Sequence, residues 1–429
     1  MRGLWRWLYP GVKVKRWIVL MLLGLFFLMA GLVGILGNTA LTSARLVAGA
    51  LGNGNCLLGG MLALSLGLLA LVVGAHRLSK NFFQVLLPTQ QSPWRVYFQR
   101  QYLAKGPRIV ALGGGTGLSV LLRGLKAYSR NITAIVTVAD DGGSSGRLRQ
   151  ELRIPPPGDI RNCLIALADT ESLMEDLFNY RFHQGEGLAG HSLGNLLLAA
   201  MTDMAGDFEL AIQEMSRVLA VGGRVLPSTR ANVVLAAEME DGTVVWGQSQ
   251  IPKAGKKIKR VFLDPPHCQP TEAVLKAIEQ AEIIIIGPGS LYTSLLPNLV
   301  IPGMAEALRR SPAPKIYVCN IMTQPGETDG FSVGDHLQAL MDHCGEGIVQ
   351  IAVAHEGSIS LPTKKRYEEA GAHPVKIDRH RVEQMGVELY TRYLVDENYV
   401  LRHNPQRLAK LIMEELGHRL LRRCSLWGE

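Results

Sequence analysis

The sequence predicts an α/β protein: a Rossmann-like, doubly wound and mainly parallel sheet, preceded by a two-helix transmembrane hairpin. Three observations carry this. Two short apolar strands run into glycine-rich loops, Arg108–Leu112 into Gly113–Gly117 and Ile132–Val138 into Ala139–Gly146. Further on, Ile283–Gly287 and Lys315–Cys319 are continuous apolar runs of the kind buried on both faces of a parallel sheet. Near the N-terminus, Trp17–Leu36 and Cys56–Ala75 are uncharged apolar stretches of 20 residues each, about 30 Å as helices and so the thickness of a hydrocarbon core.

The N-terminal segment also accounts for the basic balance. The chain has 429 residues, 45 Lys or Arg against 37 Asp or Glu, and a formal net charge of +8. Residues 1–106 hold eleven of the basic residues and no acidic ones, leaving 34 against 37 in the remainder. The positive charge therefore gives no argument for nucleic-acid binding. Arg2, Arg6, Lys13, Lys15 and Arg16 precede the first apolar stretch, and Arg77, Lys80, Arg95, Arg100 and Lys105 follow the second, with Arg45 alone between. This asymmetry predicts a multi-pass membrane anchor with both termini and the large domain cytoplasmic.

The expected organisation is an anchor over 1–87, a polar, proline-marked linker over 88–106, a ligand-binding domain over 107–418 and a tail over 419–429. In the large domain, Val233–Glu238 and Thr243–Trp246 flank Asp241-Gly242 and read as a hairpin. Helical patterns fall at 159–169, 191–204, 207–219, 271–280 and 303–310. No C-x-x-C pair occurs among the six cysteines, and Cys163 and Cys319 sit in apolar surroundings, so buried reduced thiols are expected.

The loops carry the chemistry. Glycines 113, 114, 115 and 117, with Thr116, suit close backbone approach to a phosphate at a helix N-terminus. Asp140 lies 23 residues past Gly117, where doubly wound folds place a ribose-binding carboxylate. The G-x-G-x-x-G dinucleotide pattern fails at Leu118, and no P-loop motif occurs, so neither a standard dehydrogenase nor a P-loop NTPase is supported. Gly142, Gly143 and Ser144 continue the second loop, and Arg147 and Arg149 after it are candidate diphosphate donors. Pro155–Asn162 forms a stiff loop with Asp159 placed to cap the next helix and with Arg161 and Asn162 as ligand candidates. Gly287, Gly289 and Ser290 offer amides and a hydroxyl, Tyr292 offers a ring to stack on a base or sugar, and Asn320 adds an amide. Gly190-His-Ser-Leu-Gly194 matches G-x-S-x-G, yet no strand precedes it. His191 and Ser192 are therefore assigned to a helix N-terminus facing an anion, and a hydrolase is disfavoured.

Taken in order, GGGTGLSVLLRGLK, TVADDGGSSGRLR, PPGDIRNCLIALAD, GHSLGNLLLAAM, GPGSLYTSLLPNL and VCNIMTQPGETDGF resemble the YvcK family of gluconeogenesis factors. That family lies within the superfamily of CofD, the 2-phospho-lactate transferase of deazaflavin cofactor biosynthesis. The resemblance runs from about residue 107 to about 416. It implies a regulatory protein that binds a UDP-sugar of the UDP-N-acetylglucosamine type and acts on cell shape and peptidoglycan synthesis in step with carbon metabolism. Carried over, Gly113–Gly117, Asp140, Asp141, Asn195, Ser290 and Tyr292 stand where the superfamily builds its pocket. The alternative is a CofD-like transferase moving a phospho-lactyl or phosphoenolpyruvyl-type group from a nucleotide diphosphate to an acceptor hydroxyl. Asp140 and Asp141 are then the candidate catalytic pair, holding Mg²⁺ or taking the acceptor proton. No resident cofactor is otherwise expected. The expected partners are the nucleotide sugar, the membrane, a further copy of the chain and a regulatory protein.

Overall fold

The computed structural model describes residues 15–42, 54–86, 101–169, 172–397 and 400–417. Residues 88–100 of the expected linker and the tail 419–429 lie outside them. The chain divides into two compact units, Met1–Arg100 and Gln101–Glu429.

In the first unit, helices Lys15–Thr42 and Gly54–Leu86 pack against each other. Glycine lets their backbones touch. A Cβ on Gly24 would come within 2.9 Å of Gly67 O, one on Gly31 within 2.8 Å of Gly60 O, and one on Gly67 within 2.7 Å of Gly24 O. Leu22, Phe26, Met29, Leu62, Leu66 and Leu69 point outward and are exposed. Of the two spans expected, one is long and apolar enough to cross a membrane among the described residues, Gly59–Arg77 with 19 residues. The apolar stretch in the first helix, Trp17–Val33, is shorter.

The second unit is built on a seven-stranded parallel sheet: β1 Ile109–Gly113, β2 Ile132–Val136, β3 Arg224–Pro227, β7 Ile283–Ile286, β8 Lys315–Val318, β9 Ile351–His355 and β10 Glu388–Arg392. A smaller antiparallel sheet holds β4 Val234–Met239, β5 Val244–Trp246 and β6 Ile258–Asp264, with β4 and β5 forming the expected hairpin.

Strand alternation divides the core. Val110, Leu112, Ile135, Ile284, Ile286 and Tyr317 face one side, with the β4–β6 sheet and the helices Glu272–Glu279 and Val333–Cys344. Ile109, Ala111, Ile132, Ala134, Ile283 and Ile285 face the other, with the helices Gly115–Leu125 and Gly158–Leu167. Both faces of the sheet are thus buried at its centre, which is why β1, β2, β7 and β8 read as apolar runs.

The strand order β3-β2-β1-β7-β8-β9-β10 reverses between β1 and β7. Loops leaving two adjacent strands in opposite directions open a crevice at their carboxyl ends, the usual ligand position in open α/β sheets. Leu112 pairs with Ile286 and Ile286 with Tyr317, so β1, β7 and β8 end level and deliver their loops to one place.

Candidate functional site

The crevice is a cleft of about 560 Å³. Its floor is Gly114–Gly117, one wall is Pro288–Ser290 and another is Asn320–Pro325, with Tyr367 and Arg402 added from the C-terminal part of the chain. Close approach requires glycine here. A Cβ on Gly117 would stand 2.4 Å from Pro288 O, and Gly115 adopts φ +61°, the left-handed region. Gly113 and Gly287 sit buried at the strand ends and shape the turns from beneath.

Amide side chains tie the walls together. Asn320 Nδ2 donates to Gly289 O at 2.9 Å and to Gln324 Oε1 at 3.1 Å, while Gln324 Nε2 donates to Ser290 Oγ at 2.6 Å. Beneath them, Thr293 Oγ1 donates to Glu327 Oε1 at 3.0 Å. Burial pushes the Glu327 carboxyl up to about 7, against the pull of Thr293 and the amides of Tyr292 and Thr293.

Beside the glycine loop lies a second group. Asp159 Oδ2 is 2.6 Å from where a Cβ on Gly114 would stand, so a side chain at 114 would displace the carboxylate. Asp159 was expected to cap its helix; instead it lies in the first turn, the N-cap is Pro157, and the carboxylate takes the Gly115 amide. Desolvation, reinforced by the charge of Asp140, pushes it up to about 7, while Gly115 and Arg161 oppose the shift. Asp140 is also raised, chiefly by burial.

Arg161 is buried behind Asp159. It donates to Ser192 Oγ, to Asn195 Oδ1 at 3.1 Å and to Asn162 Oδ1 at 2.7 Å. Asn195 Nδ2 in turn donates to Ser144 Oγ at 3.0 Å, and Ser144 Oγ lies 2.9 Å from His191 Nδ1. Ser192 caps the helix Leu193–Ala205 by accepting from Asn195 N. It is 1% exposed, so the G-x-S-x-G match is a buried helix start, as the missing strand implied.

The structure therefore splits the expected site residues into two groups. Gly114–Gly117, Gly289, Ser290 and Asn320 line the cleft. Arg161, Asn162, Ser144, His191, Ser192 and Asn195 form the buried network, which meets the cleft at Asp159. Further expectations change. Tyr292 is 3% exposed and packs edge-on against Phe331 and His343, with ring centroids 6.4 and 6.0 Å away. It is a core side chain without a stacking face, and burial holds its hydroxyl up at about 12. Asp140 is not part of the cleft wall: Oδ1 accepts from Gly142 N at 3.0 Å, within its own loop. Gly142 and Gly143 begin the helix Gly143–Leu152 outside the cleft.

Arg147 donates to Ala189 O at 2.7 Å and Arg149 to Val233 O at 2.6 Å, so neither is turned to the cleft. Asp141 accepts from Ser249 N at 2.8 Å, away from Asp140's own loop bond. Among the described residues no three His, Cys, Asp or Glu are grouped to hold a metal ion. Cys163 and Cys319 are buried free thiols, as expected. A larger open cavity of about 790 Å³ lies near Arg224, Arg230 and Cys268. No glycine loop reaches it, and Arg230 is bonded there to Glu209 at 2.6 and 2.8 Å.

The family model for 2-phospho-L-lactate transferase CofD matches residues 109–395, more than half of the chain. The chain belongs to the CofD family. Among its CofD-family relatives, the protein named gluconeogenesis factor from Halalkalibacterium halodurans is 57% identical over 311 residues, covering 72% of this chain and 97% of the relative. That of Bacillus subtilis is 53% identical over 315 residues, 73% of this chain and 99% of the relative. A relative from Nostoc is 48% identical over 421 residues, 96% of this chain, so its match extends into the N-terminal unit. The crystal structure of a UPF0052-family protein from Bacillus halodurans is similar with a TM-score of 0.70 at 57% identity, covering 72% of this chain and 99% of that one.

Proposed function

We propose that this CofD-family chain binds a nucleotide sugar of the UDP-N-acetylglucosamine type in the cleft and acts as a regulator of cell-wall synthesis and carbon use. One observation carries the reading: the cleft opens where the strand order reverses, floored by glycines whose amides admit a diphosphate. Ser290, Asn320 and Gln324 supply donors and acceptors for a sugar, and Tyr367 and Arg402 offer a ring and a cation on the far side. The G-x-S-x-G serine is occupied by capping and by Arg161, so Ser192 is not placed as a nucleophile at the cleft. Titrating UDP-N-acetylglucosamine tests this. At a hundred times the dissociation constant, ligand should stabilise the protein by about 2.7 kcal/mol, and no thermal shift at saturation would reject the reading.

Transfer is the second reading, and Asp159 favours it. A carboxyl poised near pH 7 beside the phosphate-type loop suits proton exchange with an acceptor hydroxyl. Asp140 and Asp141 would then hold Mg²⁺ only together with ligand oxygens, because among the described residues no third His, Cys, Asp or Glu is grouped with them. Phosphate-ester formation from a nucleotide diphosphate donor, followed by mass spectrometry, separates transfer from binding.

For the N-terminal unit we infer a membrane hairpin with both ends cytoplasmic. The apolar outward faces and the Lys/Arg asymmetry support it. Arg77 also lies over the Trp17 ring at 5.5 Å, an amphipathic pairing suited to one membrane interface. Reporter fusions at Asn53 and Glu429 should read opposite sides of the membrane; the same side for both would exclude the hairpin.

A further inference from the structure

We propose that the groove between the helix Gly143–Leu152 and the chain entering β4 is a second ligand site, selective for a phosphate group. The cavity there measures about 490 Å³, and its wall includes Asp141, Arg149, Gln150, Arg153 and Asn232. It shares no residue with the cleft.

Arg149 is the anchor. The side chain is 8% exposed; Nη2 donates to Val233 O at 2.6 Å, while Nη1 is buried with no hydrogen-bond partner. An idle donor on a buried guanidinium is costly until an acceptor reaches it. The nearby carboxylates do not fill that role. Asp141 Oδ1 accepts from Ser249 N at 2.8 Å and Asp140 Oδ1 from Gly142 N at 3.0 Å, so both act on Arg149 only through space.

Arg153 supplies the second charge. It closes the helix in the left-handed conformation, φ 56°, which a residue with a Cβ seldom adopts. Its side chain is exposed on the same cavity, with no partner among the described residues. Two guanidinium side chains thus line one small cavity. Asp141 and Asp140 both act on the charge of Arg149, while Arg153 carries its charge on the cavity wall without a partner among the described residues. Gln150 and Asn232 add neutral amide donors at the rim. Donors from several directions around a positive centre match a tetrahedral oxyanion with its three or more acceptor oxygens.

The test uses the full-length chain in mild detergent, titrated by calorimetry at fixed ionic strength with inorganic phosphate and separately with glycerol phosphate. Saturable binding is expected. Arg153→Ala should weaken it about tenfold or more, as loss of a charge-assisted contact does, while leaving UDP-N-acetylglucosamine affinity unchanged. Arg149→Lys should weaken it similarly, since an ammonium lacks the fork; if that variant does not fold, Arg153→Ala decides alone. Equal affinity for the two probes identifies free phosphate as the occupant, and much tighter glycerol phosphate identifies a phosphomonoester. Absence of saturable binding, equal binding by Arg153→Ala, or displacement of phosphate by the nucleotide sugar would each overturn the proposal.

Discussion

Gln324 Nε2 donates to Ser290 Oγ across 2.6 Å, joining the loop after β8 to the loop after β7 at the wall of the cleft. The same side chain accepts from Asn320, which also holds Gly289. Gln324→Ala should therefore loosen two walls at once and weaken nucleotide-sugar binding by about 1–3 kcal/mol. Calorimetric titration checks this, and parent-like affinity would remove the loop after β8 from the site.

Gly117→Ala tests the opposite wall. The added methyl would sit 2.4 Å from a backbone oxygen, Pro288 O, which has no rotamer with which to yield. A backbone shift costing about 1–3 kcal/mol is expected, with a lower melting temperature and a weakened ligand. A fully stable variant with parent affinity would show that the two loops do not meet as described.

Asp159 should make the protein sensitive to pH. Its ordinary value is 3.8 and its folded value about 7, so between these the native chain keeps a proton that the unfolded chain has released. Stability must then fall as pH rises across that window and level off above about pH 7. Affinity for a diphosphate should fall over the upper part of the same range, as a carboxylate forms beside the anion. Asp159→Asn should flatten both profiles, with a larger stability gain at pH 8 than at pH 5. Parallel profiles for the two proteins would refute the assignment.

Tyr292→Ala should behave as a core truncation. Loss of a ring that is 3% exposed costs about 3–5 kcal/mol, while ligand affinity of the folded fraction stays near that of the parent. Weakened binding with unchanged melting would restore a stacking role for the ring.

Ser192→Ala removes a helix cap and an acceptor for Arg161, together about 1–2 kcal/mol of stability. No esterase activity should be lost with it. Stoichiometric labelling of Ser192 by a fluorophosphonate would contradict the capping role.

How far these positions were legible in the sequence follows from how local their signals are. β1, β2, β7 and β8 announce themselves because both their faces are buried, and the helices Gly158–Leu167 and Leu193–Ala205 begin within about two residues of where their patterns do. β10, Glu388–Arg392, is half exposed and carries no comparable run, so it did not stand out. The glycine loop was readable because close approach leaves glycine as the permitted residue. Tyr367 and Arg402 were not, since neither belongs to a motif and only the fold brings them to the first loop. Tyr292 misled for a related reason: it follows the loop after β7, but a π-helical turn at Leu291–Leu295 swings its ring into the core.

The glycines at the hairpin contact recur every seventh position, Gly24 and Gly31 on one helix and Gly60, Gly67 and Gly74 on the other. Seven residues make nearly two turns, so the row stays on one side only if the helices wrap gently left-handed around each other. The two helices then behave as one stiff rod whose phase is written in its spacing. Inserting a single residue between Gly60 and Gly67 would rotate everything beyond it by about 100°, bringing Leu66 and Val73 to the seam in place of Gly67 and Gly74. A seven-residue insertion would lengthen the rod and leave its grip intact.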